Sequence, residues 1–230
     1  MIHLPSFDFP LLPGACVLCR AAGAGLCAPC IADICKLRRQ SKCRQCAADV
    51  AESALCGACL KSPPHFDATK SLYPYAFPLD MLLRRFKFGG GWQLAGALAA
   101  FLPPLPVADV VLPVPLHPNR EKWRGFNQSQ ELLRAMTPPA SQQAKAGTMA
   151  KTTTAASIKR ITDTPHQSLM TGAKARRQNV RGAFVAAGVS GKSIVIVDDV
   201  MTTGATLNEI AKTLKSAGAT TVTNIVAART

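Results

Sequence analysis

The sequence predicts an α/β protein, with a mainly parallel sheet flanked by helices and a small cysteine-rich module in front of it. Two observations lead to this fold class. From residue 71 onward, apolar stretches typical of buried strands alternate with stretches typical of helices, and this alternation favours parallel strands joined by helices. All nine cysteines lie in the first 60 residues, which sets that segment apart from the rest of the chain.

The composition indicates one full domain plus a small module. The chain has 230 residues, 48% of them hydrophobic, which is enough to bury a substantial core. No apolar run approaches the roughly 20 residues that span a bilayer. The N-terminal stretch also lacks the basic start and apolar core of a signal peptide. We therefore expect a cytoplasmic protein without membrane insertion.

The charge balance is strongly basic. Lys and Arg number 27 against 13 Asp and Glu, which gives a formal net charge of +14. A surplus of this size favours a phosphorylated or polyanionic partner, although a solvated basic surface is the commoner origin of such a surplus.

Eight cysteines form four C-x-x-C pairs, which predict a double zinc-ribbon module. Two such turns supply the four thiolates of a closed structural zinc site. We predict two zinc ions with sequential pairing, and crossed pairing is the alternative. A disulfide framework is disfavoured because no signal peptide directs the chain to an oxidising compartment. The predicted ligands are Cys16, Cys19, Cys27 and Cys30 in one site, and Cys43, Cys46, Cys56 and Cys59 in the other.

A domain boundary is predicted at Pro63-Pro64, where cysteine disappears and α/β patterning begins. Residues 1–64 then form the zinc module and residues 65–230 the larger domain. Cys35 stands outside the four pairs and is expected to be a small buried residue.

The first elements after the boundary are a short strand and two helices. KSLYPYAF is predicted to be the strand. PLDMLLRRFKF is predicted to be a helix because Leu79, Leu82, Leu83 and Phe86 recur on one side, and the Gly89-Gly90-Gly91 turn ends it. WQLAGALAAFL forms the second helix, which a run of prolines stops.

The remaining elements alternate regularly. VADVVLPVP is a buried strand, NQSQELLRAM a helix, SIVIV a strand, ATLNEIAKTLKSAG a helix closed by Gly218, and TTVTNIVAA a last strand. Residues 137–157 have little periodicity, and we interpret them as a loop with one weak strand.

The stretch IVIVDDVMTTGATL indicates a ligand site. The SIVIV strand brings Asp198 and Asp199 to the carboxyl edge of the sheet, where ligands of parallel sheets bind. The residues that follow turn into a helix, and helix N-terminal amides with threonine hydroxyls form a phosphate cradle. Carboxylates repel phosphate, so the two acids are expected to face hydroxyl groups. A ribose 5-phosphate satisfies both requirements.

The motif VIVDDVMTTGAT resembles the phosphoribosyl diphosphate (PRPP) binding motif of type I phosphoribosyltransferases. LPVPLHPNREKWRGFNQS, RITDTPHQSL and RRQNVRGAF, together with the cysteine pairs, resemble the ComF/GntX family. Its members combine an N-terminal zinc module with a phosphoribosyltransferase-like domain and are associated with DNA uptake in natural transformation. The likeness covers nearly the whole chain.

The resemblance implies a role for each motif. Asp198 and Asp199 accept the ribose hydroxyls, PVPLHPNR binds the diphosphate, and Mg²⁺ bridges diphosphate and ribose oxygens. The family usually has a second arginine two residues after Arg160, and this chain has Thr162 there. The implied 5-phosphate residues are Thr202, Thr203, Gly204, Ala205 and Thr206; the diphosphate residues are Leu116, His117, Arg120 and Arg124; the catalytic loop has Arg160, Thr164 and Gln167, followed by Arg176 and Asn179.

Two functions fit these features. As an enzyme, the protein transfers ribose 5-phosphate from PRPP to an unknown acceptor. As a binding module, it senses PRPP or a related ribose phosphate, while the zinc module and basic surface contact single-stranded DNA or a DNA-uptake helicase. We favour the binding protein of DNA uptake. Trp123 is the better candidate for base stacking, since Trp92 is expected in the core.

Overall fold

The computed structural model describes residues 14–22, 25–51, 54–87, 91–137, 156–164 and 172–230. Its helices are α1 (Ala28–Lys36), α2 (Gly57–Lys61), α3 (Leu79–Lys87), α4 (Ala95–Ala99), α5 (Pro118–Arg124), α6 (Gln128–Met136), α7 (Ala173–Val180) and α8 (Ala205–Ser216), with a 3-10 turn at Gly91–Leu94. Its strands are β1 (Ala68–Lys70), β2 (Tyr73–Pro74), β3 (Val110–Pro113), β4 (Ser157–Arg160), β5 (Phe184–Ala187), β6 (Ser193–Met201) and β7 (Thr221–Arg229).

The central sheet is parallel, as predicted. Its order is β1-β7-β6-β3, and the short β2 also pairs with β7. The strands β4 and β5 form a separate antiparallel pair. None of the helices in the described part of the chain is long and apolar enough to cross a membrane.

Side chains of β6 alternate between two cores, one on each face of the sheet. Ile194 and Ile196 face the core that α8 covers, whereas Val195 and Val197 face the core formed by α3, α4 and α6. This alternation follows from the two-residue period of a strand. It explains why SIVIV is apolar at every position, as expected of a strand buried on both faces.

The cysteine module contributes to both cores. Cys43, Cys46 and Cys59 belong to the core on the α8 side, and Ile34 of α1 belongs to the core on the α3 side. The cysteine module therefore packs against the cores on both faces of the sheet. Hydrogen bonds add to this contact, since the Arg39 amide donates to the Leu72 carbonyl at 3.2 Å.

Several predicted elements are confirmed and others are new. The predicted helices PLDMLLRRFKF, NQSQELLRAM and ATLNEIAKTLKSAG correspond to α3, α6 and α8. WQLAGALAAFL forms part of the 3-10 turn and the short helix α4 in place of one continuous helix. KSLYPYAF contributes Lys70 to the end of β1 and Tyr73–Pro74 to β2. The short helices α5 and α7 and the β4–β5 pair were not predicted. The prediction of one weak strand in residues 137–157 and that of a turn at Gly89-Gly90 fall mostly or wholly outside the described residues.

Two residues that were predicted to be buried lie at the surface. Cys35 is exposed because it follows the buried Ile34 on α1 and so points away from the core. Trp92 is 55% exposed because the 3-10 turn buries Gly91 and Leu94 and leaves the residues between them toward solvent.

Candidate functional site

The eight paired cysteines form two four-sulfur clusters. Within each cluster the sulfur atoms all lie within 4.8 Å of one another, with 3.6 Å between Cys19 and Cys27 and 3.5 Å between Cys46 and Cys56. Tetrahedral zinc with Zn–S bonds of about 2.3 Å places its sulfurs roughly 3.8 Å apart. The donor set thus fits two structural zinc ions, and the pairing is the sequential one. The first cluster is Cys16, Cys19, Cys27 and Cys30, and the second is Cys43, Cys46, Cys56 and Cys59.

The two clusters repeat the same local fold. The Cys27 amide donates to Cys16 Sγ at 3.4 Å, and the Cys56 amide donates to Cys43 Sγ at 3.3 Å. Cys27 and Cys56 are also the residues that precede α1 and α2. Burial alone raises the pKa of Cys16 and Cys43, but the surrounding amide donors lower both to about 6. Both first thiols are therefore prepared to bind metal as thiolates.

A cavity of about 520 Å³ lies at the carboxyl ends of β3 and β6. Its wall carries positive charge from six side chains: Arg84, Lys87, Arg120, Arg124, Arg160 and Arg176. Most of the residues predicted to bind ligand meet here, although they come from distant parts of the chain. Those in the cavity wall are Leu116, Arg120, Arg124, Arg160, Asp198, Asp199, Thr202, Thr203, Gly204, Ala205 and Thr206.

The two carboxylates at the end of β6 are held by partners from other elements. Lys87 Nζ lies 2.9 Å from Asp199 Oδ2, and Ser129 Oγ donates to Asp198 Oδ1 at 2.9 Å. Burial raises the pKa of Asp198 to about 7, and the charge of Asp199 adds to the rise, while Lys87 opposes it. Burial alone lowers the pKa of Lys87, but the ion pair with Asp199 raises it above its ordinary value. Sequence analysis missed Lys87.

The loop after β6 turns sharply into α8. Gly204 has φ +76°, and a Cβ there would lie 2.5 Å from Met201 Cε, so this position requires glycine. Thr203 Oγ1 accepts from the Ala205 amide at 3.4 Å, just before the start of the helix. Arg176 of α7 donates to Thr202 Oγ1 at 3.1 Å. The loop thus combines helix N-terminal amides, hydroxyls and a guanidinium.

The half-buried Arg120 and Arg124 and the buried Arg160 supply part of the positive charge of the cavity. Burial lowers the pKa of Arg120, Arg124 and Arg160, yet guanidinium groups stay charged in proteins. Because Arg120 and Arg124 lie one turn apart on α5, their charges act together. A ligand that neutralises them must carry several negative charges.

Residues 160–164 lie beside α5. Arg160 Nε donates to the Thr162 carbonyl at 3.3 Å, its Nη2 donates to Thr164 Oγ1, and its guanidinium lies 5.7 Å from the centre of the Phe184 ring. Asn119 Nδ2 donates to Asp163 Oδ2 at 2.7 Å.

Two of the predicted site residues lie outside the cavity wall. His117 caps α5 by accepting from the Asn119 amide at 3.3 Å, and Thr164 contacts Arg160 rather than forming the cavity wall. Gln167 lies outside the described residues.

Comparison with known proteins defines the class of protein. The family model described as phosphoribosyl transferase domain matches residues 89–229, which contain most of the cavity wall and the sheet strands β3, β6 and β7. The chain is a phosphoribosyltransferase-fold protein. Relatives that match almost the full length, including the cysteine module, narrow the class further: the chain belongs to the ComF/GntX family.

Three relatives illustrate this. DNA utilization protein YhgH of Salmonella typhi is 35% identical over 227 residues, covering 92% of this chain and 95% of that protein. Competence protein F of Haemophilus influenzae is 32% identical over 226 residues, covering 88% and 91%. Competence protein ComFC of Bacillus subtilis is 29% identical over 164 residues, covering 65% and 58%.

Proposed function

We propose that this protein binds PRPP or a related ribose 5-phosphate in the cavity and serves DNA uptake in the cytoplasm. The observation that carries the proposal is the meeting of two carboxylates, a helix N-terminal loop and six cationic side chains in one cavity. A diol, a phosphate monoester and a diphosphate on one ribose match these three groups in chemistry and in charge.

Each group of residues has a distinct task in the proposal. Asp198 and Asp199 accept hydrogen bonds from the ribose hydroxyls, and charged acceptors strengthen such bonds. The amides and hydroxyls of residues 202–206 hold the 5-phosphate at the N-terminus of α8. Arg120 and Arg124 bind the diphosphate.

The arrangement also suits Mg²⁺. Asp199 pairs with Lys87, and Asp198 already accepts from Ser129, so few carboxylate oxygens are open to a cation. Mg²⁺ commonly keeps several waters and takes its other ligands from substrate phosphates. When bound, it supplies neutralisation of the diphosphate charge. Asp198 and Asp199 would hold it indirectly, through the ribose oxygens and water.

Zinc has a structural role in the proposal. Two closed four-thiolate sites leave no open coordination position, so catalysis by zinc is not part of the function. The first thiol in each cluster is buried, and metal binding then stabilises a segment that contains few apolar residues of its own.

Calorimetry with PRPP and Mg²⁺ tests the binding site. The double variant Asp198→Asn/Asp199→Asn should bind PRPP more weakly by one to several powers of ten, because each hydrogen bond to a charged group contributes roughly 1.5–3 kcal/mol. Asp109→Asn is a matched control, since Asp109 caps the opposite end of β3 and β6 by accepting from Ser193. Undiminished binding by the double variant would reject the ribose assignment.

Transfer chemistry is the alternative, and a separate measurement decides it. An active transferase would bring Arg160 and Thr164 close to the anomeric carbon and stabilise a cation-like sugar by charge and by exclusion of water. Diphosphate release from PRPP is measured with and without DNA. Repeated turnover of PRPP would support the hypothesis that the protein is an enzyme. Saturable binding without turnover supports the binding protein.

The DNA role is supported by the names of the relatives and by an exposed basic and aromatic surface. Trp123 on α5 is 66% exposed and lies beside the exposed Lys122. Arg124, by contrast, points into the cavity. Stacking on an aromatic ring contributes about 1–3 kcal/mol per base. We propose single-stranded DNA and a DNA-uptake helicase as the partners.

Salt dependence tests this surface. Lys122→Ala should reduce the slope of log affinity against log salt by about 0.7, the value for one phosphate contact on single strands. Trp123→Ala should weaken binding and leave the slope unchanged. Lys36→Ala on α1, where Lys36 pairs with Asp33, is the control. Undetectable binding by the wild-type protein would identify the basic face as a solvated surface.

A further inference from the structure

Arg229, at the end of β7, connects the second cysteine cluster to the loop after β6. Its Nε donates to the Cys46 carbonyl at 3.0 Å. Its Nη1 donates to the Met201 carbonyl at 3.3 Å and to the Thr202 carbonyl. One guanidinium therefore joins a predicted metal ligand to the first residues of the loop that is proposed to hold the 5-phosphate.

These contacts orient the amide groups of the loop. In a planar trans peptide, the carbonyl and the N–H of the next residue point in opposite directions. With the Met201 and Thr202 carbonyls turned toward Arg229, the N–H groups of Thr202 and Thr203 are turned away from it. Thr202 and Thr203 both line the cavity. Arg229 thus fixes the direction in which the N–H groups of Thr202 and Thr203 point, and these N–H groups remain the donors of the loop.

Packing provides a second connection between the cluster and the loop. Cys43, Cys46 and Cys59 belong to the same buried core as Met201. The Met201 side chain in turn lies against Gly204, the N-cap residue of α8. A change in the second cluster therefore reaches the loop through the Cys46 carbonyl and through the core beneath Met201.

The first cluster is a natural comparison because it has the same local fold and lies on the other face. Its neighbours Val17, Leu18 and Leu26 pack against the core of α3 and α4. The Val17 carbonyl accepts from Arg85 of α3 at 3.5 Å. Cys19 is the second cysteine of its cluster, as Cys46 is of the other. The cluster that contains Cys19, however, packs against the core of α3 and α4 and not against the loop after β6.

We infer that Arg229 is a positioning residue for phosphate binding, and that the intact second cluster is needed to hold it in place. The inference rests on the proposed function of the cavity. It assigns the second zinc site a task beyond folding: through Arg229, the metal-bound turn sets how well residues 202–206 bind a phosphate monoester. The first zinc site has no such task.

Two ligands distinguish positioning from general loss of structure. Ribose 5-phosphate uses the loop, whereas inorganic diphosphate uses Arg120 and Arg124. In Arg229→Met, affinity for ribose 5-phosphate should fall about tenfold, equivalent to roughly 1.4 kcal/mol, and affinity for diphosphate should stay within about twofold, or roughly 0.4 kcal/mol. Arg229→Lys keeps a donor for the carbonyls and should recover part of the loss. Equal weakening of both ligands would overturn the inference.

The cysteine clusters give the second arm of the experiment. Cys46→Ser and Cys19→Ser should each remove one zinc ion by elemental analysis, and only Cys46→Ser should weaken ribose 5-phosphate binding. Equal effects of the two variants would contradict the inference, as would wild-type affinity in Arg229→Met. If the wild-type protein binds neither PRPP nor ribose 5-phosphate, the proposed function itself fails. If the wild type binds and Arg229→Met binds equally well, the inference alone fails.

Discussion

Lys87 and Asp199 form a partly buried ion pair, with 2.9 Å between Nζ and Oδ2, where the last turn of α3 meets the end of β6. Asp199 is only 5% exposed. The positive charge of Lys87, which comes from one face of the sheet, therefore offsets the adjacent negative charges of Asp198 and Asp199 at the floor of the cavity. The pair sets both the stability and the ionisation of the site.

Removing the lysine should destabilise the protein. Lys87→Met leaves Asp199 buried without its partner, and breaking a buried pair in this way costs about 3–5 kcal/mol. Urea denaturation measures the loss. Lys36→Met is the matched control because Lys36 and Asp33 form a pair of similar length, 2.8 Å, at the surface, where such pairs contribute little. Equal stability of both variants would show that the pair of Lys87 and Asp199 has no special energetic role.

The affinity for ribose ligands should depend on pH through Asp198. Its pKa is raised to about 7, chiefly by burial and further by Asp199, so the charged acceptor is present above that pH and lost below it. PRPP affinity should rise between about pH 6 and pH 8, one unit on either side of the midpoint. Lys87 lowers this pKa, so Lys87→Met should move the midpoint upward.

Asp198→Asn separates this effect from ionisation of the ligand. In that variant, only the phosphate groups titrate, and the pH profile should become flatter than that of the wild type. Folding stability should depend on pH in the opposite direction to ligand affinity. The reason is that a carboxyl whose pKa is raised in the folded state favours that state at acid pH. Without ligand, that contribution is lost as the pH rises toward 7. Identical profiles in wild type and variant would exclude Asp198 as the titrating group.

Purified protein should contain close to two zinc ions per chain. The reason is that each of the two clusters supplies four thiolates at zinc-binding distances. Cys16→Ser should remove one ion and destabilise the N-terminal module, whereas Cys35→Ser should leave the metal content unchanged because Cys35 belongs to neither cluster. Elemental analysis and mass spectrometry measure both. A metal-free protein with four disulfides would be inconsistent with this expectation.

Gly204→Ala should weaken PRPP binding and destabilise the protein. The left-handed backbone at Gly204 costs an alanine about 1–2 kcal/mol, and the added Cβ would press on Met201 Cε. Gly96→Ala in α4 has open space around its Cβ and should be neutral or stabilising. Calorimetry and thermal denaturation compare the two.

The sequence predicted the part of the site that lies on one continuous stretch. Strand β6, its two acids and the start of α8 follow from an apolar run, two carboxylates and a glycine in direct succession. Lys87 could not be found in this way, because it is separated from Asp199 by more than half of the domain. Its only local signal is a basic residue in the last turn of α3, which it shares with Arg84 and Arg85.

The missed elements are short or depend on tertiary contacts. Helix α5 has seven residues, too few for a periodic pattern, although His117 and Pro118 are a recognisable cap and first-turn residue. Strands β4 and β5 pair with each other outside the main sheet, and the sequence of neither strand shows that the other is its partner. The exposure of Cys35 depends on which side of α1 meets the core.

The placement of the cysteine module on both faces of the sheet has a consequence for folding. Neither core is complete without it, because Cys43, Cys46 and Cys59 close one and Ile34 closes the other. A segment that completes two cores cannot unfold by itself without exposing apolar surface in both. We therefore expect the residues on either side of Pro63-Pro64 to unfold as a single cooperative unit, so that loss of metal should lower the melting temperature of the whole chain.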